Sequence, residues 1–550
     1  MKKFALTVAV VACIAASGSA WAFEIPTGSE DFKLRWDNTF RYTLSQRVKG
    51  QNDAILSSPN NDDGDRNFDV GIASNRLDIL SEVDAVYKDL YGIRLSGAGW
   101  YDLRYRQHLD NNSPFTSNYL ALNGSPAIGL NSYTERYFAG PSGELLDAFA
   151  FGKFDIAGVP ISVRVGRHTV FWGESMLAYG GANGINYSQS PIDLGKALAQ
   201  PGVELKEIFR PLNQVSIQAQ VTPTLSVAGQ YFMQWESDRF PETGSYLGFA
   251  DPYLNGGQSL IVGFIPTVGF VRYVNGGDIT PNQARDWGLS ARWSPEWLGG
   301  TVGIYYRNFS DKLPQVLVQP ATGTYRLAYA SGIDAYGISF AKQIAGISVG
   351  SEVSYRHDMP LLSNPAVVGV PGAPPVPGTG DTAGALGDTF HALVNFLYVI
   401  NKTPLFDKAD CLAEFTYSQW LHVSQGSDVF KGNAVYPGLD HVTRGAMTGA
   451  LNFTPTWYQV LPGVDLSMPL SIASGLFGVS AVQTGGSAKN GSYSAGLSFD
   501  ILARYTATIN YSGFFGNYRT DATGGITSSG DIFALLKDRD MVTLTLKTTF

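Results

Sequence analysis

Met541-Val-Thr-Leu-Thr-Leu-Lys-Thr-Thr-Phe550, the last ten residues of the chain, alternate apolar and polar side chains and stop on an aromatic ring. Val542, Leu544, Leu546 and Phe550 fall on one face of an extended strand, and Thr543, Thr545 and Lys547 on the other. Successive strand residues point to opposite faces, so such a strand separates grease from water. This is the pattern of a wall between lipid and a polar lumen, and a closing strand that ends on Phe is how outer-membrane β-barrels finish. Such a strand also predicts handling by a barrel-assembly machinery.

The other end of the chain agrees. Lys2 and Lys3 make a basic start, Phe4 to Ile14 an apolar stretch, and Ala20-Trp21-Ala22 a small-x-small cleavage site. Residues 1–22 therefore read as a signal peptide and 23–550 as one outer-membrane barrel domain of a Gram-negative bacterium, beginning at Phe23. Val10-Val11-Ala12-Cys13 loosely matches a lipoprotein box, but cleavage there would leave too short an apolar stretch.

Composition narrows the class further. The 550 residues carry a net charge of −8, with 44% hydrophobic and 16% charged residues. After the signal no run approaches the roughly 18 apolar residues a membrane helix needs, so a span of the bilayer must use strands that close on themselves. Cys411 is then the one cysteine left, which excludes an intramolecular disulfide and a thiolate metal cluster. It falls on the apolar register of its strand, as a small lipid-facing hydrophobe. The net charge argues against a nucleic-acid partner, and no phosphate loop, dinucleotide fingerprint or basic stripe is present. No cofactor is expected.

Working inward, Phe32 to Val48 sets Leu34, Trp36, Phe40, Tyr42 and Leu44 against Lys33, Arg35, Asp37, Thr39, Arg41 and Thr43. Leu77 to Tyr87 and Ile93 to Arg106 form a hairpin about Asp89-Leu-Tyr-Gly92, with Arg76, Asp78, Glu82, Asp84, Arg94 and Arg104 on the wet side. Seven more hairpins bend at 158–160, 222–224, 294–300, 345–346, 401–408 and 502–503, and within a weaker pattern at 453–466. With the first and last strands the count is about 18, or 16 if two fail, an even number as single-chain barrels require. Long connections alternate with these turns, near 48–74, 107–143, 173–212, 237–284, 312–331, 357–387, 422–443, 467–490 and 516–536. Short turns belong on the periplasmic side and long loops outside. A soluble sandwich or propeller would have short connections at both ends.

Val163-Arg-Val-Gly-Arg-His168, Phe171-Trp-Gly-Glu-Ser175, Gly180-Gly-Ala-Asn-Gly-Ile-Asn186, Pro191-Ile-Asp193, Pro201-Gly-Val-Glu-Leu-Lys206 and Pro211 together resemble the domain-of-unknown-function 1302 family of proteobacterial outer-membrane proteins. The resemblance spans nearly the whole mature chain and is most specific from Arg164 to Trp235, although His168 and Phe171 stand where more polar residues are expected. It implies a barrel. Members look like companions of inner-membrane export pumps and of a second secreted family, which implies periplasmic or inner-membrane transport partners and traffic of apolar compounds.

The block itself is unusual for an outer loop. Trp172 to Pro211 carries Gly-Gly, Asn-Gly and Pro signals that break strands, together with Glu174, Asp193, Lys196, Glu204, Lys206, Glu207 and Arg210. Folded inward, 172–211 would plug the lumen and set these charges against those of the wall, since a barrel of this size is open unless something narrows it. Arg35, Arg41, Arg94, Arg104 and Arg164, with Glu352, Asp410 and Glu414, are the wall charges that would line it, and His168 and Trp172 join them at the segment's start. Mixed signs set no clear ion preference. An extracellular loop held by its own turns is the alternative.

Some loops are too apolar for simple exposure. Leu260-Ile-Val-Gly-Phe-Ile-Pro-Thr-Val-Gly-Phe-Val271 has no charge, and Leu466 to Val482 is similar. Through Leu260, Ile261, Phe264 and Phe270 such loops would gather a hydrophobic solute, pack over the barrel mouth, or dip into the outer leaflet. His168, Ser175 and Asp193 make a triad candidate that matches no local nucleophile signature, so no enzyme is expected. Asn60-Asn-Asp-Asp-Gly-Asp65 is acidic, but an EF-hand register puts Pro59 at the first ligand and Val70 at the twelfth, so the loop fails. A solvated loop touching lipopolysaccharide through divalent ions is the simpler reading, and 365–380 is a stiff Pro-rich loop.

The sequence therefore predicts an all-β, antiparallel transmembrane barrel acting as a passive conduit for small, hydrophobic or amphipathic solutes, in contact with outer-membrane lipid and lipopolysaccharide. Alternatives are a general polar-solute porin, a barrel hydrolase acting on lipid, and a surface adhesin.

Overall fold

The computed structural model describes residues 23–177, 181–200, 203 and 205–550. The expected signal peptide, with Cys13 and its cleavage site, lies outside them. Eighteen antiparallel strands close into one barrel. In chain order they are β1 (Phe32–Arg47), β2 (Gly71–Tyr87), β3 (Tyr91–Asp102), β4 (Ser142–Ile156), β5 (Val159–His168), β6 (Leu212–Thr222), β7 (Leu225–Phe232), β8 (Trp287–Trp293) and β9 (Gly300–Phe309). There follow β10 (Ile333–Ile344), β11 (Ile347–Pro360), β12 (Leu386–Ile400), β13 (Lys408–Gln425), β14 (Gly445–Leu461), β15 in two pieces (Val464–Ser467 and Leu470–Phe477), β16 (Gly491–Ile501), β17 (Tyr505–Phe515) and β18 (Met541–Thr549).

Each strand pairs with its chain neighbour, and β18 closes the ring on β1, from Thr39 opposite Thr549 to Arg47 opposite Met541. Phe550 stacks on Phe40 with ring centroids 5.5 Å apart. Where β18 runs out, Phe23–Ile25 takes over the exposed edge of β1 opposite Leu34–Trp36. No strand edge is left open at the seam, which is the condition for crossing a bilayer with strands. No helix among the described residues is long and apolar enough to cross a membrane.

Burial in the wall is inverted relative to a soluble domain. On β1, Thr39, Arg41, Thr43, Ser45 and Arg47 are buried while Trp36, on the opposite face, is exposed. Ile79, Leu289, Ile304, Ile338 and Ile509 likewise face outward and are exposed. An apolar belt outside and a polar interior are what lipid on one side and a wet lumen on the other demand. Leu80, Ala98, Trp100 and Leu146 break the rule, forming a small apolar cluster on the inner side. Cys411, opposite the exposed Tyr398, lies on the outward register.

Eight short connections fall where the turn residues predict. Ala157-Gly158 and Ala345-Gly346 are two-residue turns in which both residues have positive φ, the backbone that matches the twist of the strands it joins. The weak hairpin at 453–466 is real, but its second strand continues to Phe477. The loop expected at 467–490 is therefore only 478–490, and Leu466 to Val482 is mostly wall rather than an apolar loop. Met468-Pro469 interrupts β15 because Pro has no N–H to give to the ladder, and this hid the strand. Arg104 is also misplaced by the pattern. The ladder ends at Asp102, whose Oδ1 accepts the backbone N–H of Asn75 at 3.0 Å and of Arg104 at 2.8 Å, turning the chain out of the wall.

The long connections gather at the other end and pack on one another. Leu260 to Val271 is not a loop but a hairpin, Ser259–Ile265 with Gly269–Asn275, which joins 315–319, 324–328 and 366–367 in a separate five-stranded sheet. Phe68, Tyr105, Phe240, Tyr246, Phe249, Phe514 and Phe533 form the main apolar core of this cap. The acidic run at 60–65 is not solvated. Asp63–Arg66 is one buried helical turn with Asp62 as its N-cap.

Candidate lumenal site

The described residues of 169–211 enter the ring, and Leu194, Leu198 and Ala199 among them also pack against the apolar core of the cap. Their irregular backbone carries polar groups that no ladder pairs, and such groups need partners when buried. The wall supplies them. Glu352 of β11 accepts the backbone N–H of Glu174 at 2.7 Å and of Ile185 at 2.8 Å. Glu414 of β13 accepts Met176 N–H at 2.7 Å and Leu177 N–H at 3.3 Å. Arg356 of β11 donates to the carbonyls of Ala182 and Gly184, each at 2.9 Å. Arg307 of β9 donates to those of Ile185 at 3.1 Å and Tyr187 at 2.6 Å.

Side chains complete the attachment. Asn183 bridges His391 of β12 at 3.0 Å and Thr416 of β13 at 2.8 Å, and Gln189 reaches Gln230 of β7 at 3.0 Å. Asn395 of β12 donates to the Glu174 carbonyl. Gly288 and Gly337 lend close approach, since a Cβ there would lie 2.8 Å from the Trp172 ring and 2.7 Å from Ile185. Trp172 is buried and rests against Tyr305, centroids 6.2 Å apart.

The far half is held by charge. Arg41 of β1 pairs with Glu207 at 2.9 Å and donates to Gln200 at 2.9 Å. Lys206 pairs with Glu82 of β2, and Lys196 with Glu144 of β4. Asp193 caps the helix Leu194–Ala199 through Lys196 N–H at 2.9 Å and meets Arg239 at 3.3 Å. Arg239 also pairs with Glu144 at 2.7 Å. Strands from β1 round to β13 thus send side chains to one segment, Ser339 of β10 among them with a bond to Glu174 at 3.1 Å. Arg94 joins indirectly, bridging Glu82 at 2.5 Å, Asp84 at 2.8 Å and Asp147 at 3.1 Å.

The expected residues therefore divide. Arg41, Glu352 and Glu414 meet the segment on which Trp172, Glu174, Asp193, Lys196 and Lys206 lie. Arg35 pairs instead with Asp37 at 2.6 Å and Asp410 with Lys408 at 3.0 Å. Arg164 lies over the Phe149 ring at 5.7 Å, and Arg104 binds Asp110 at 2.7 Å in an outer loop. Glu204 lies outside the described residues. His168 hydrogen-bonds Gly166 O at 3.0 Å and Ser216 Oγ at 2.8 Å, and among the described residues it makes no hydrogen bond to Ser175 or Asp193. Arg307, Arg356 and Glu144 are not among the residues the pattern singles out, and Glu82, on the wet side of its strand, is tied to the segment only by the structure. Their inward register was readable, but nothing local showed that they answer a loop.

At the apolar hairpin, Ile261 is buried and Leu260 packs toward Trp235 and Tyr325. Its tip is bare: Phe264 is 61% and Val268 74% exposed, with Phe264 and Phe270 ring centroids 5.2 Å apart. An outer cavity of about 290 Å³ is lined by Phe240, Phe249, Tyr253, Leu362 and Ile532 with Gln483 and Asp440. A space of about 550 Å³ lies between residues 173–176 and the wall near the short turns, at Gly300, Lys342 and Gln343.

Residues 3–550 match the family described as "Protein of unknown function (DUF1302)". No curated protein matches the sequence. Among solved structures, Acinetobacter baumannii OccAB1 aligns with a TM-score of 0.41 and 9% identity over 94% of this chain and 96% of that one. A BenF-like porin from Pseudomonas fluorescens aligns at 0.40 and 10%, over 94% and 98%. Pseudomonas aeruginosa OpdK with vanillate aligns at 0.37 and 10%, over 94% and 98%.

Proposed function

The chain belongs to the DUF1302 family, and from that premise we propose that it is a passive conduit in a Gram-negative outer membrane whose bore is narrowed by residues 169–211. The observation that carries this reading is the use of wall side chains. Glu352, Glu414, Arg307 and Arg356 are inward-facing, buried or nearly so, and committed to the backbone of one segment. A wall that only lined a wide water channel would have no need to fasten an irregular segment across it. These two acids are thus anchors of the constriction rather than a selectivity ring.

The cargo we assign is small and hydrophobic or amphipathic. Support comes from the mostly apolar lining of the outer cavity and from the bare Phe264 tip. The charged cluster of Arg94, Glu82, Asp84 and Asp147 favours a second reading, a porin for polar solutes. Lipid and lipopolysaccharide around the belt, assembly machinery acting on β18, and periplasmic or inner-membrane transport partners fit this role.

Planar-bilayer recording tests the proposal. The intact chain should give small or no conductance steps, and removal of residues 172–210 should enlarge them. Unchanged conductance in a deletion variant that keeps its β circular dichroism would end the constriction reading. Reversal potentials under a salt gradient, and uptake of an apolar against a polar dye into liposomes, separate the two cargo classes.

A further inference from the structure

In the cap, three carboxylates meet with too little countercharge. Asp62 and Asp63 come from segment 48–70, and Asp251 from segment 233–286. One carboxylate oxygen of each lies within 4.8 Å of one from each of the others. All three residues are closed to solvent, at 0%, 2% and 0% exposure. In each, Oδ1 has no hydrogen-bond donor among the described residues. Asn118, from segment 103–141, gives its backbone N–H to Asp63 Oδ2 at 2.8 Å. Its own Oδ1 is buried and equally without a donor.

The neighbouring cations are already engaged. Arg66 pairs with Asp62 at 2.5 Å. Arg47 and Arg539 are matched by Asp65 and Asp538, at 2.7 and 3.2 Å for Arg47 and 2.9 and 3.3 Å for Arg539. Arg272 lends its charge to Asp63 and Asp62 from a distance but among the described residues forms no ion pair with either, its guanidinium donating to the carbonyls of Ser117, at 2.9 Å, and Phe115. Asp63 and Asp251 are left as two acids without an ion pair. Buried charges are retained where they are paired or coordinate a metal.

We propose that Asp62, Asp63 and Asp251 bind one divalent cation, Ca²⁺ in preference to Mg²⁺. Oxygens on opposite sides of a Ca²⁺ ion stand about 5 Å apart, twice its 2.3–2.6 Å ligand distance, and the mutual spacing of these carboxylates fits within that. Mg²⁺ requires a tighter octahedron and holds its waters. The ligands come from two segments far apart in sequence, which is why no single twelve-residue loop could reveal them. A bound ion would tie 48–70 to 233–286, with Asn118 bracing Asp63 from a third segment, and so stiffen the cap over the barrel mouth.

The test uses the full chain refolded in detergent free of lipopolysaccharide, stripped with EGTA and titrated with CaCl₂ alone by equilibrium dialysis. One Ca²⁺ per chain should bind by about 1 mM, the weak end for extracellular sites, and the melting temperature should climb with it. Asp251→Asn should weaken binding by at least about tenfold, whereas Asp407→Asn, at an exposed pair near a short turn, should bind as the parent does. If Asp251→Asn does not refold, Asp62→Asn and the parent's own stoichiometry and melting shift decide. No uptake by folded parent chain, uptake undiminished in the variants, or Mg²⁺ binding as tight as Ca²⁺ would each overturn the proposal.

Discussion

Arg41 and Glu207 face each other at 2.9 Å inside the barrel, with side chains 3% and 4% exposed. One stands on the strand that closes the ring and the other on a short helix of the inserted segment, so the seam and the constriction are joined by this pair. Arg41 also lies 3.6 Å from Asp78, which itself pairs with Arg76 at 2.8 Å. Losing one member of a buried pair usually costs about 3–5 kcal/mol because the other is stranded. Asp78 softens that here. Glu207→Ala should lower stability in urea by about 1–3 kcal/mol and make single-channel traces noisier, and Arg41→Leu added to it should recover part of the loss.

Glu352 accepts two backbone N–H groups of the segment, those of Glu174 and Ile185. Hydrogen bonds to a charged group contribute about 1.5–3 kcal/mol each. Glu352→Ala should therefore free the near half of the constriction and raise conductance in planar bilayers, with Glu352→Gln intermediate. Equal conductance in all three proteins would count against its anchoring role.

Asp238, in the cap segment 233–286, supplies a pH dependence. Burial pushes its carboxyl up to about 7, against the Ile192 N–H and the Lys312 ammonium, which favour the charged form. The folded chain thus holds a proton that the unfolded chain gives up near pH 4, so this contribution is full below about pH 4 and is lost as pH rises through about 7. The melting temperature of the parent, measured relative to Asp238→Asn, should fall between about pH 5 and pH 8. A constant difference would show that Asp238 does not titrate in that window.

Phe264 stands out from the cap and meets little besides Phe270. Phe264→Ser should change stability by no more than about 0.5 kcal/mol, as exposed substitutions do. Its effect belongs in adsorption to lipopolysaccharide monolayers and in uptake of an apolar dye, both of which should decline.

Phe550 stacks on Phe40 at the closing seam, and its backbone exchanges two hydrogen bonds with Asn38, at 2.7 and 2.9 Å. An aromatic pair adds about 0.5–1.5 kcal/mol beyond buried area. Phe550→Ala should slow assembly into detergent or lipid, visible as a smaller fraction of the compact form on unheated gels.

The ring was legible because each strand announces itself locally. A period of two survives in any context, and turns such as Ala157-Gly158 mark their own positions, so strand order, count and the two faces followed from neighbours a few residues apart. Legibility failed where a local signal was cut, as at Pro469 in β15, or ended early, as at Asp102. It failed also where residue type suggested the wrong surroundings: the acidic 60–65 run looks wet and is buried.

What the chain settles without folding is the wall, since alternation is a property of adjacent residues and closure only repeats it. What only the tertiary structure decides is the use of the interior. Glu352, Glu414, Arg307 and Arg356 look like ordinary lumen charges until 169–211 passes between them, and Asp251 finds Asp62 and Asp63 only when two outer segments stack. Those meetings depend on the ring bringing together residues more than a hundred positions apart, where an unpaired amide or a buried carboxylate selects its partner by the cost of having none.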